Sequence, residues 1–145
     1  MQNANAAVIS ILMVACFTSG AYGAAKHSAR EREMTQFAKE LSSMVVYRSG
    51  ADIAVSAQDC RLHIEFTSRK VAFDLPLAGT KIASSDSEDG VVLSNDAMTR
   101  TVGDRVPEAF PSLILHSNHL DVRPVMKLFE HAIALCSDMR AAAVR

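Results

Sequence analysis

The sequence predicts an α+β domain in two layers: an N-terminal helix, an antiparallel meander of about four to five strands, and a C-terminal helix. Three observations carry that expectation. Apolar residues recur at helical spacing towards both ends of the chain, they alternate with polar residues through the middle, and Cys60 and Cys136 stand where one disulfide would join the two patterns.

The chain opens without charge, and Lys26 is its first charged side chain. Residues 6–17 are mostly apolar, too short a run for the about 20 residues of a bilayer span, and small residues follow through Ala25. That order is the pattern of an export signal. Ala21-Tyr22-Gly23 offers small residues three and one positions before a cut, so residues 1–23 are expected to be removed and residues 24–145 to form one domain. The absence of Lys or Arg before the apolar core departs from the pattern. Leu12-Met13-Val14-Ala15-Cys16 resembles a bacterial lipobox, in which the cysteine is lipidated and becomes the mature N-terminus. That resemblance implies an alternative: the signal ends before Cys16, which then tethers the chain to a membrane face.

Ser28-Ala29-Arg30-Glu31 fits a capping box and predicts the start of the first helix. Met34, Phe37, Ala38, Leu41, Met44 and Val45 form its apolar stripe, and Tyr47-Arg48-Ser49-Gly50 is expected to stop it. The period then changes to two. Ile53, Val55 and Ala57 alternate with Ala54 and Ser56; Leu62, Ile64 and Phe66 alternate with Arg61, His63 and Glu65. Thr67-Ser68-Arg69-Lys70 reads as a turn, after which Val71, Phe73 and Leu75 alternate with Ala72 and Asp74. Further strands are expected at 80–83, 91–93 and 112–116, the first two flanking an acidic loop at 84–90. Between 95 and 111 the breakers Gly103, Pro107 and Pro111 hide any pattern. Asp121 is an N-cap for a second helix, with Pro124 in its first turn and Val125, Leu128, Phe129, Ala132, Leu135, Cys136 and Met139 on its apolar stripe.

Composition narrows the function. A net charge of −1 gives no electrostatic basis for broad binding to nucleic acid or anionic membrane, so any membrane contact would run through Cys16. Trp is absent, which argues against an aromatic platform for sugars or bases. Cys60 and Cys136 are the two cysteines outside the signal, and an oxidising compartment would pair them.

The polar residues Arg61, His63, Glu65 and Asp74 fall on one strand face, which is the candidate binding face. His116, His119 and His131, with Asp121 nearby, are the metal candidates, although no zinc signature such as HExxH is present. Asp86, Glu88, Asp89 and Asp96 supply only a fragment of a calcium loop. No Gly-x-Ser-x-Gly or Ser-x-x-Lys motif marks a nucleophile, and no Gly-rich phosphate loop occurs. Methionines such as Met34, Met44, Met98 and Met126 read as core filling rather than a soft-metal surface. The expectation is a small exported, non-catalytic domain without cofactor that binds another protein or envelope component, as accessory, inhibitor and immunity-type proteins do. The alternative is a periplasmic metal-binding protein or hydrolase using His116, His119 and His131.

Overall fold

The computed structural model describes residues 18–46, 52–85, 90–118 and 121–143. In chain order these form α1 (Thr18–Met44), β1 (Val45–Val46), β2 (Ile53–Gln58), β3 (Arg61–Phe66), a 3-10 turn (Thr67–Arg69), β4 (Val71–Pro76), β5 (Lys81–Ser84), β6 (Gly90–Ser94), β7 (Thr99–Val102), β8 (Glu108–Ala109), β9 (Ser112–Ser117) and α2 (Arg123–Ala143). The class is α+β, with a helix at each end and antiparallel strands between. Cys16, the Tyr47–Gly50 stop, Asp86, Glu88, Asp89 and His119 lie outside the described residues.

Both boundaries of α1 differ from expectation. α1 begins at Thr18, so the capping box at Ser28 lies inside the helix. Ala21, Ala24 and Ala25 are the strongest helix formers and no proline intervenes, so the helix extends upstream despite Gly20 and Gly23. At its other end α1 stops at Met44, and Val45 belongs to a strand. β-branched Val45 and Val46 pair with Ser117 and His116 of β9. Asn118 then closes the helix from a distance: its backbone N–H donates to the Met44 carbonyl at 2.9 Å and its side-chain amide to the Ser43 carbonyl at 2.6 Å. These are carbonyls of the last turn, which have no partner within the helix.

Among the described residues the strands divide into two sheets, ordered β2-β3-β4-β7-β8 and β1-β9-β6-β5. The expected meander survives as β2-β3-β4, paired Ile53 with Phe66 and Arg61 with Pro76 at its limits. The chain then leaves for the second sheet, makes β5 and β6, and returns to add β7 beside β4. Asn95 holds this crossing. Its amide donates to the Pro76 carbonyl at 2.9 Å and to Thr80 Oγ1 at 3.0 Å, while its Oδ1 accepts from the Ala97 N–H at 2.9 Å. Thr80, buried itself, donates from Oγ1 to the same Pro76 carbonyl at 2.6 Å. The segment from 95 to 111, illegible in sequence, therefore contains the crossing and two short strands.

One apolar core joins all layers: Leu62, Ile64, Phe73 and Leu75 from the first sheet, Val91, Leu93 and Leu115 from the second, and Met34, Phe37, Leu41, Val125 and Phe129 from the helices. Phe37 and Phe129 meet edge-to-face at 5.4 Å and link α1 to α2. Met34 and Met98 are fully buried, in keeping with core filling. At the rim, Arg100 stacks over Phe110, 4.6 Å from its centroid, and pairs with Glu108 directly across the β7–β8 ladder. The guanidinium of Arg100 thus lies over the ring face as a cation–π contact while it pairs with Glu108.

Cys60 and Cys136 form a disulfide, with Cα atoms 5.6 Å apart. Cys60 sits in the tight turn between β2 and β3, where Asp59 and Cys60 both adopt left-handed backbone (φ 48° and 60°). Two successive left-handed residues are what a two-residue type I′ hairpin demands, normally met by Asn-Gly. Here the Cys60 carbonyl accepts from the Leu77 N–H at 2.8 Å, and the cross-link to α2 adds a second restraint.

Asp121, expected as the N-cap of α2, lies one residue before that position: α2 begins at Arg123, so Val122 is the N-cap and its carbonyl accepts from the Met126 N–H at 3.0 Å. Asp121 Oδ1 accepts from the Arg123 N–H at 3.0 Å, and its carboxylate also receives the Arg123 guanidinium at 2.9 Å. The Arg123 side-chain and backbone hydrogen bonds hold the Asp121 carboxyl down from 3.8 to about 2. A carboxyl depressed in the folded state contributes stability above its unfolded value and loses it as pH falls through the folded one. A carbon-detected NMR titration should therefore place the Asp121 midpoint at about 2. Arg123→Ala should raise it; an Asp121 midpoint in the ordinary aspartate range in the unmodified protein would contradict the contact.

Candidate functional site

Register, rather than proximity in sequence, builds the candidate site. Side chains alternate across β2, β3 and β4, so residues paired across the strands share a face. Ser56 faces His63, and His63 faces Asp74; Gln58 faces Arg61; Glu65 lies between Ala54 and Ala72. Arg61, His63, Glu65 and Asp74 therefore occupy one face together, as the alternation predicted, opposite buried Leu62, Ile64 and Phe66. A groove of about 300 Å³ opens there, lined by Ser56, Gln58, Asp59, Arg61, His63 and Asp74. Glu65 lies on the same face, outside the groove lining.

His63 and Asp74 are joined. The imidazole Nδ1 lies 3.0 Å from Asp74 Oδ1, and both side chains remain more than a third accessible, at 40% and 35%. An ionised carboxylate only accepts, so Nδ1 carries the proton and Nε2 is left for solvent or a partner. The contact fixes the ring's orientation on an otherwise open surface.

A hydroxyl, an imidazole and a carboxylate in one row have the composition of an acyl-transfer triad. The geometry does not complete it. Among the described residues Ser56 makes no hydrogen bond to His63. The N–H groups of the interior strands β3 and β4 are also spent on the sheet ladders, so their backbone offers no donors to this face. Glu65 and Asp74 are not direct cross-strand partners either, which removes the simplest arrangement of paired carboxylates. What the face does offer is a cation, two anions, an amide and an oriented imidazole, each able to bond outward.

The other candidates disperse. His116 lies in β9, opposite Val46 and Gly90. His131 is exposed on α2, with Nε2 3.8 Å from Glu33 Oε2. Among the described residues, no close group of three potential metal ligands includes either of them. Asp96 is exposed in the turn after β6. A different group does come together: His27 and Glu31 of α1 with Asp59 of the β2–β3 turn, whose ligand atoms all lie within 4.8 Å of one another.

Ser56, Gln58 and Asp59 were the groove residues missed in sequence. Ser56 and Gln58 belong to the polar set of β2, but only the hairpin register shows which residues of β3 they meet. Among the described residues, no helix is long and apolar enough to cross a membrane. Comparison with protein-family models, curated proteins and solved structures finds no match for the chain. Function must be read from the face itself.

Proposed function

We propose that this chain is a small exported, non-catalytic domain that binds another protein or envelope component through the polar face of β2, β3 and β4. One observation carries the reading: the groove lined by Ser56, Gln58, Asp59, Arg61, His63 and Asp74, on a face whose charged groups take no part in the core. Polar groups held on paired strands are positioned by the ladder, so a partner meets them with less ordering cost than on a free loop. Arg is enriched at the energetic centres of interfaces, which makes Arg61 the first anchor to test. Export is supported by the uncharged N-terminal segment and by the Cys60–Cys136 bridge, a bond favoured in oxidising compartments. The accessory, inhibitor and immunity classes all fit such a domain.

The test is comparative capture from an envelope extract, followed by affinity measurement on whatever is retained. Arg61→Ala and Glu65→Ala should each weaken the complex by about 1 kcal/mol or more, close to fivefold in Kd, and leave the melting temperature nearly unchanged. A partner retained with full affinity by the Arg61/Glu65 double alanine variant would overturn the assignment of this face.

A further inference from the structure

We propose that His27, Glu31 and Asp59 form a binding site for one divalent transition-metal ion, with zinc the ion best suited to the donor set. This does not depend on the partner-binding reading, and its test needs no partner. Three donors of two chemical kinds converge from two distant parts of the chain: an imidazole and a carboxylate on α1, and a carboxylate at the tip of the β2–β3 turn. All three side chains are exposed, and their ligand atoms lie within 4.8 Å of one another.

The spacing within the group fits a shared cation better than mutual bonding. His27 and Glu31 are four residues apart on one helix face, which brings Nδ1 to 3.8 Å from Oε1. That is beyond hydrogen-bond range, and it approaches the about 3.4 Å edge of a tetrahedron whose metal–ligand bonds are about 2.1 Å. Asp59 makes no hydrogen bond or ion pair to any described residue, and its carboxylate lies within 4.8 Å of that of Glu31. The two carboxylates bring negative charge together that an ion at their centre would neutralise.

Asp59 stands in a cross-linked turn. Its left-handed φ of 48° is followed by Cys60 at 60°, and Cys60 is bonded to Cys136. One nitrogen and two oxygens suit zinc, whereas calcium and magnesium favour all-oxygen sets; three protein ligands leave a position for water. The ion would tie α1 to the β2–β3 turn beside the disulfide.

The experiment is calorimetric titration of the untagged, chelator-treated full chain with zinc, with the His27 ring followed by NMR. The expected result is saturable one-to-one binding with a shift of the His27 resonances. Loss of supporting second-sphere groups alone weakens metal sites about 10–100-fold, so His27→Ala and Asp59→Asn, which remove direct ligands, should each weaken binding by at least about tenfold. Asn tolerates left-handed backbone as Asp does, so Asp59→Asn keeps the turn intact. His131→Ala should bind like the unmodified protein. Absence of saturable binding, or binding that survives both His27→Ala and Asp59→Asn, would overturn the site.

Discussion

Phe129→Ala should destabilise the protein by about 3–5 kcal/mol, in the range for emptying a fully enclosed aromatic position. Phe129 is completely buried and packs edge-to-face on Phe37 at 5.4 Å, so the lost ring leaves a void at the contact between the two helices. Neighbouring Val125, Ala132 and Cys136 lie on the same helix and share the same core, and Cys136 is further held by its bridge. That limits how far α2 can shift to refill the space. Domains of this size have about 5–15 kcal/mol in total, so the variant would keep only a fraction of its stability. Urea unfolding should show a strongly lowered midpoint with little change in slope. A midpoint near that of the unmodified protein would mean that α2 does not pack as described.

Opening the Cys60–Cys136 bridge should cost about 2–5 kcal/mol. The cysteines are separated by 76 positions, and for a loop of that length the chain-entropy model gives about 4.5 kcal/mol. Cys136→Ser places a hydroxyl in a fully buried site, where Cys136 Sγ lies 4.0 Å from Met34 Sδ. That sulfur carries no proton in the bridged state, so the contact is one of packing, and a serine hydroxyl there would meet only a thioether, a weak acceptor. Cys60→Ala avoids a new polar group at that position and separates loss of the cross-link from burial of a hydroxyl. Both variants should unfold at lower denaturant than the oxidised protein. If thiol titration of the denatured, unreduced protein finds both cysteines free, the bridge does not form.

Much of the first sheet was legible because strand alternation is a local property. Arg61, His63 and Glu65 cannot share a face with Leu62, Ile64 and Phe66 once the backbone is extended, whatever else the chain does. The entry to α2 was legible for the same reason to within one residue: Asp121 bonds the Arg123 N–H two positions on, while Val122 takes the N-cap position. Elsewhere local signals competed with distant ones. Val45 continues the apolar stripe of α1, yet pairing with Ser117 draws it into a strand. The capping pattern at Ser28 has the right residues, but alanines upstream let the helix run on. β7 and β8 carried too few apolar residues to show a period, and their place depends on the crossing that Asn95 holds.

By itself, the sequence determined the α+β class, the two helical stripes, the partners of the disulfide and the shared face of Arg61, His63, Glu65 and Asp74. Each follows from a period or from the chemistry of a residue type, both of which are written along the chain. Tertiary structure decided the division into two sheets, the row of Ser56, His63 and Asp74, and the meeting of His27 and Glu31 with Asp59. These depend on which distant segments pair and where a turn points. No local period encodes them, because the energy that selects them comes from burying one shared core and satisfying backbone groups across it.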